Sequence, residues 1–234
     1  MDTYVVIVDF FKRGGFFLYP IALIWAIGLV IAVERFAYLM KVGTGNKRLW
    51  DQLQPLFEAG NFKQATNAVA GSETALAQVM RYGMSRIQTA RRREDIEKAM
   101  EESLVEVIPH LERRTHYLSA LANIGMLMGL FGTVLGLIRA FAAVAQANPA
   151  EKASLLSASI SVAMNNTALG LLVAITLLLS HLYLETKTTN IVDSLEVASV
   201  KFLNALNERQ QRASEAPAAA AGAPARAEVR GARA

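Results

Sequence analysis

The chain has no cysteine, which excludes disulfides and thiolate metal sites. It has no phosphate-binding glycine loop and no nucleophile–base pair. His110, His116 and His181 are not spaced as metal ligands, so an enzymatic or metal-dependent activity finds no support and no cofactor is expected. Strand-like alternation of useful length is missing, which argues against a sheet. Most telling is the absence of Asp and Glu from three long apolar runs, Phe16 to Val33, Leu118 to Ala147 and Ser154 to Leu184. A chain without carboxylates there cannot carry protons alone, although it can form the polar wall against which another chain's carboxylate works.

What is present is apolar. Hydrophobic residues make up 53% of 234 residues, and the mean hydropathy of +0.29 favours a membrane protein. A hydrocarbon core of about 30 Å needs roughly 20 helical residues at about 1.5 Å each, so all three runs can cross it. Eleven cations, from Lys47 and Arg48 through Arg91, Arg92 and Arg93 to Arg113 and Arg114, fall between the first two runs. The turn around Asn148 and Pro149 offers only Lys152, so the long loop is expected in the cytoplasm, the N-terminus outside and the C-terminus inside. Lys12 and Arg13 before the first run resemble a secretory signal. No Ala-x-Ala-like cleavage site follows, so the run reads as an uncleaved anchor. The loop's cations are interleaved with Glu94, Asp95, Glu97, Glu101, Glu102 and Glu106, which fits a solvated helical surface beside anionic lipid rather than a nucleic-acid face.

The expected fold is an all-α membrane protein. An extracytoplasmic segment (1–15) precedes the first transmembrane helix (16–40) and a cytoplasmic helical region (41–117). The second (118–147) and third (154–184) spans flank a short periplasmic turn (148–153). A cytoplasmic helical extension (185–212) leads to a disordered tail (213–234), where Ala, Pro, Gly, Glu and Arg leave no core to build. Within the long loop Val42 to Asn46 reads as a glycine-containing turn, and Gly60 and Asn61 end the helix that follows it. Ile96, Met100, Leu104, Val107 and Leu111 form a helical stripe with no obvious stop before Leu118. A rod running into the second span, kinked at Pro109, is expected. The third span continues into a second amphipathic stretch, Ile191, Leu195, Val197 and Phe202.

Gly125, Gly129, Gly132, Gly136, Ala140 and Ala143 recur every three or four residues in the second span, a pattern that lets helix backbones approach closely in lipid and that packing alone can explain. Ser159, Ala163, Gly170 and Ala174 repeat the device in the third. Thr133 can satisfy its hydroxyl on its own helix. Asn165, Asn166 and Thr167 are harder to satisfy within one helix, because each amide has two donors and an acceptor. An interhelical contact, water or a pore must meet them. Arg139 reads as a headgroup-seeking side chain or an ion-selecting one.

The segment Leu111-Glu112-Arg113-Arg114 leading into Leu127-Met128-Gly129-Leu130-Phe131-Gly132-Thr133-Val134-Leu135-Gly136-Leu137-Ile138 closely resembles the signature of the TolQ/ExbB/MotA proton channels. Ile160 to Ile175, with Asn165-Asn166-Thr167 at its centre and Gly170 behind, resembles that family's second block in the same order and separation. Three positions depart from its common pattern: Val162 where the ExbB and TolQ branches carry Glu, and Met126 and Thr176 where proline is usual.

The resemblance implies a homo-oligomeric ring, a pentamer, around the helices of a single-span ExbD/TolR/MotB-like partner that supplies a transmembrane Asp. It implies a location in the bacterial inner membrane. Carried over by motif position, Thr133 and Thr167 would line the proton pathway, and Asn165, Asn166, Gly129, Gly132, Gly136 and Gly170 would face the pore or partner. The implied function is a stator-type subunit that converts proton motive force into mechanical work at the outer membrane or envelope. Surface gliding, flagellar-type motility and a purely structural scaffold stand as alternatives. A secondary transporter is disfavoured by the lack of repeated halves.

Overall fold

The computed structural model describes residues 15–87 and 92–221, with side chains described as far as Arg209 and at Gln211. Six helices occur among the described residues, with no strand: α1 (Leu18–Glu58), α2 (Phe62–Ala70), α3 (Ala75–Arg86), α4 (Arg93–Glu112), α5 (Thr115–Gln146) and α6 (Lys152–Ala221). The chain forms two compact units. One comprises residues up to Lys41 with His110–Asn190; the other comprises Val42–Pro109 and the chain from Ile191.

The first unit carries the apolar runs. Three helical stretches, Leu18–Glu58, Arg93–Gln146 and Lys152–Arg209, contain segments long and apolar enough to cross a membrane, with hydropathies of 1.9, 1.9 and 2.0. Leu18, Ile21 and Leu39 of α1, Leu118 and Ala122 of α5, and Ala163, Val173 and Leu177 of α6 are fully buried among themselves and their neighbours. The outward faces keep large apolar side chains exposed, among them Val30, Leu127, Phe131 and Leu179, as a helix in lipid requires.

The rod expected from Glu94 into the second span is interrupted. Pro109 lies inside α4, and the break comes later, at Arg113 and Arg114, where Arg114 takes a left-handed backbone with φ of 68°. Two side chains of α1 account for it. Buried Arg35 donates through Nη2 to the Leu111 carbonyl, satisfying an acceptor in the last turn of α4, and Arg114 Nη1 lies 3.3 Å from Glu34 Oε2.

In the second unit α1 continues unbroken through Gly43 and Gly45, where a turn was expected. Gly45 serves close approach instead: a Cβ there would lie 3.1 Å from Thr74 Cγ2. Gly60, with φ of 69°, follows the end of α1, and Asn61 caps α2 by accepting from the Gln64 amide, in line with the sequence. Ile96, Met100, Leu104 and Val107 are all buried, the face the stripe on α4 indicated. Phe57, Phe62 and Phe202 form an aromatic cluster with centroid separations of 5.8, 5.3 and 6.3 Å. Ile191, Leu195 and Phe202 are buried on α6, whereas Val197, expected with them, is exposed. Helix α6 runs past Ala213 to Ala221 where no order was expected, in keeping with the high helix propensity of alanine. The N-terminal segment to residue 14, including Lys12 and Arg13, and the tail from 222 lie outside the described residues, as do Thr89 and Arg91.

Candidate functional site: the α5–α6 seam

Each glycine of α5 has a counterpart on α6. A Cβ at Gly125 would lie 2.7 Å from Val173 Cγ1, and one at Gly129 would lie 2.9 Å from both the Asn166 carbonyl oxygen and the Gly170 Cα. At Gly132 a Cβ would lie 3.1 Å from the Asn166 Cβ, and at Gly136 one would lie 2.9 Å from the Ala163 Cβ. Reciprocally, a Cβ at Gly170 would come within 2.8 Å of the Gly129 Cα and 2.9 Å of the Gly125 carbonyl. The two helices therefore cross backbone against backbone at Gly129 and Gly170, a separation only glycine permits.

That crossing brings the two sequence blocks together. Thr133 Oγ1 donates to the Gly129 carbonyl at 3.0 Å, the back-bond expected of a threonine in lipid. Thr167 Oγ1 reaches across the seam to the same carbonyl at 3.3 Å, and the two hydroxyls are hydrogen-bonded to each other. Both threonines are half-buried, so the pair stays open on one side.

Of the glycines read from the sequence as facing the pore or partner, Gly129, Gly132 and Gly170 are buried within this chain, and Gly136 packs on Ala163. Asn166 is 3% exposed against Gly132, with Oδ1 lacking a hydrogen-bond partner among the described residues. Asn165 is half-buried and Arg139 exposed. Asn123, which the sequence reading passed over, is an exposed amide inside an apolar helix.

Two further contacts frame the seam. Trp25 Nε1 on α1 donates to Thr176 Oγ1 at 3.0 Å, and Thr176 itself donates back to the Leu172 and Val173 carbonyls of α6. A lone Trp in an apolar run gives no periodic signal; its indole N–H, which needs an acceptor when buried, was the available clue. Towards the Lys187 end of α6, the rings of His116 and His181 lie 6.3 Å apart and His181 Nε2 is 3.7 Å from Glu185 Oε2. His181 Nδ1 is buried without a hydrogen-bond partner among the described residues.

Chemically the seam offers neutral oxygens. Threonine hydroxyls can donate to and accept from water or a carboxylate but do not titrate near neutrality. Residues 118–147 and 154–184 contain no Asp or Glu, so these two spans bring no carboxylate of their own to the hydroxyl pair.

The sequence profile of the MotA/TolQ/ExbB proton channel family matches residues 71–197, more than half of the chain and both blocks of the seam. The chain belongs to that family. It is similar to a putative biopolymer transport protein ExbB homolog of Methanothermobacter thermautotrophicus, at 26% identity over 199 residues, covering 84% of this chain and 69% of that protein. It is also similar to the biopolymer transport protein ExbB of Salmonella typhimurium and that of Salmonella typhi. Each is 28% identical over 160 residues, covering 64% of this chain and 62% of the relative. The chain thus spans less than two thirds of the length of the two Salmonella proteins. As a family member of the ExbB-like branch it is a multi-pass membrane protein and a proton-channel subunit of the ExbB/TolQ/MotA type.

Proposed function

We propose that the chain is the ring-forming subunit of a proton-driven motor. Copies, five by family resemblance, surround the helices of a single-span ExbD/TolR/MotB-like partner, whose transmembrane Asp is protonated and released beside Thr133 and Thr167. The observation that carries this reading is the hydroxyl pair itself: the two motif threonines, from different helices, meet at one half-buried point in segments free of carboxylates. The subunit supplies oxygens that solvate the charge, and the partner supplies the charge.

Moving one proton through 100 mV releases about 2.3 kcal/mol, comparable to one charge-assisted hydrogen bond at about 1.5–3 kcal/mol. Neutralising the partner's Asp can therefore release one packing of partner against ring and allow relative rotation, so that motion is the output. The N-terminus is proposed to be periplasmic, the helical parts outside the spans and the C-terminus cytoplasmic, and the membrane a bacterial inner membrane. The powered process is proposed to be outer-membrane or envelope energisation; the ExbB relatives are named as biopolymer transport proteins. Gliding or flagellar-type motility is the second reading, and no enzymatic step is proposed.

The test is partner-dependent proton flux in vesicles holding both subunits. Thr167→Ser keeps most of the flux and Thr167→Val loses most of it, since only serine retains a hydroxyl. Equal flux in wild type and Thr167→Val, with the complex intact, overturns the assignment.

A further inference from the structure

An open cleft of about 430 Å³ lies between α1 and α6, away from the threonine pair. Leu29, Ala32, Val33 and Phe36 line it from α1, and Leu179 and Tyr183 from α6. Its walls are apolar. Ser180, also on its lining, spends its hydroxyl on the Thr176 carbonyl of its own helix. Phe36 and Tyr183 face each other at 5.9 Å, and Tyr183 is 52% exposed.

Position and size narrow the occupant. Leu29 to Phe36 covers about 10 Å of helix, less than the roughly 15 Å of one leaflet's hydrocarbon and far short of the roughly 30 Å a spanning helix would follow. The cleft lies partway along α1 and α6, where their apolar runs finish together, so its rim is at headgroup depth. An aromatic pair with one phenol belongs at that depth. One turn beyond Tyr183 and Leu184 on the same face of α6 stands Lys187, half-buried and with no ion pair among the described residues. A slot for hydrocarbon with an uncompensated cation one turn past its rim is the arrangement that holds a chain ending in a negative headgroup.

We propose that this cleft is a specific site for one anionic phospholipid, its acyl chain between Ala32 and Leu179 and its phosphate at Lys187 and the Tyr183 hydroxyl. Neutral lipid fills the slot without the headgroup contact and is the weaker ligand. The site depends on the chain's crossing of the membrane and is independent of the proposed role of the threonines.

The test reconstitutes the full chain in vesicles of equal parts phosphatidylglycerol and phosphatidylcholine, extracts it gently, and counts retained lipid per chain by native mass spectrometry. Wild type retains one lipid per chain, with phosphatidylglycerol favoured about fivefold, the effect of a single lysine at an anionic headgroup. Lys187→Gln keeps the lipid and loses the preference, and Ala32→Phe loses the lipid whatever its headgroup. Retention without headgroup preference in wild type, or a preference unchanged in Lys187→Gln, overturns the proposal; the lysine variant lies at the surface and does not depend on the core surviving. Because the chain has no native cysteine, Leu179→Cys gives a clean second measurement. Disulfide-linked dimers through this position in the membrane would mean that a second copy covers the cleft, and would also overturn the lipid assignment.

Discussion

Thr133 and Thr167 share one acceptor, the Gly129 carbonyl, and a hydrogen bond with each other, yet they are not equivalent. Each hydroxyl has one proton. Thr133 spends its proton on the carbonyl one turn back in its own helix at 3.0 Å, while Thr167 has only the longer 3.3 Å contact across the seam or the bond to Thr133. Thr167 is therefore the freer donor towards a carboxylate. Removing its hydroxyl should slow partner-dependent flux by roughly tenfold to a hundredfold, the loss of one charge-assisted bond of about 1.5–3 kcal/mol. Thr133→Val should cost less, because it deletes mainly a back-bond. Side-by-side flux measurements on the two valine variants check the order; the reverse order would mean that Thr133 faces the reacting carboxylate.

Gly129→Ala should separate α5 from α6. The new methyl would sit 2.9 Å from two backbone atoms of α6, the Asn166 carbonyl oxygen and the Gly170 Cα, and backbone cannot step aside as a side chain can. A loss of about 1–3 kcal/mol is expected, read as a lower thermal midpoint in detergent and a broken Thr133–Thr167 pair. Gly28→Ala is the informative control: its Cβ would come within 2.6 Å of Leu177, but of the tip of a side chain that can change rotamer. The first substitution should be the more damaging of the two.

Much of this was legible in the sequence, for reasons that differ between elements. The spans follow from hydropathy because a lipid-crossing helix needs an uninterrupted apolar run, and the buried face of α4 follows from the spacing of Ile96, Met100, Leu104 and Val107. Thr133 and Thr167 were recognisable through motif context, since a hydroxyl in hydrocarbon is ambiguous by itself. What misled was glycine. A turn is expected at Gly43 and Gly45, yet α1 runs through both, because a glycine shows that a close approach is allowed and not what approaches. The break at Arg114 depends on Arg35 and Glu34, some 80 residues upstream, and no local pattern announces it.

Tyr82 supplies a pH-dependent element in the other unit. Its hydroxyl donates to Glu106 Oε2 at 3.3 Å, and the Glu106 carboxylate, first by its charge and then as hydrogen-bond acceptor, holds the phenol above its ordinary value of 10.0. A folded-state pKa raised above the unfolded one favours the protonated form. The contribution is therefore fully present below the ordinary phenol value and is lost as pH rises through the folded-state value. A phenolate absorbance titration should show one tyrosine ionising late, a component absent in Tyr82→Phe and moved back towards the ordinary range in Glu106→Gln.

The bond from Trp25 to Thr176 ties α1 to α6 inside the membrane-spanning unit, at the position where the family's proline is replaced by a hydroxyl residue. Thr176 donates to carbonyls of its own helix and accepts from the indole, so its one proton and a lone pair are both in use. Proline there would remove the hydroxyl and bend the helix; with threonine α6 runs unbroken through this position and gives α1 a polar anchor. Interhelical bonds of this kind average about 0.6 kcal/mol and reach about 1.7 kcal/mol in membrane proteins. Trp25→Phe and Thr176→Val should each lower stability by an amount in that range beyond their packing effects. The double variant should lose less than the sum of the two, because the second change removes a partner already gone. Additive losses in such a double-mutant cycle would show that the contact holds no energy and that α1 is kept in place by packing alone.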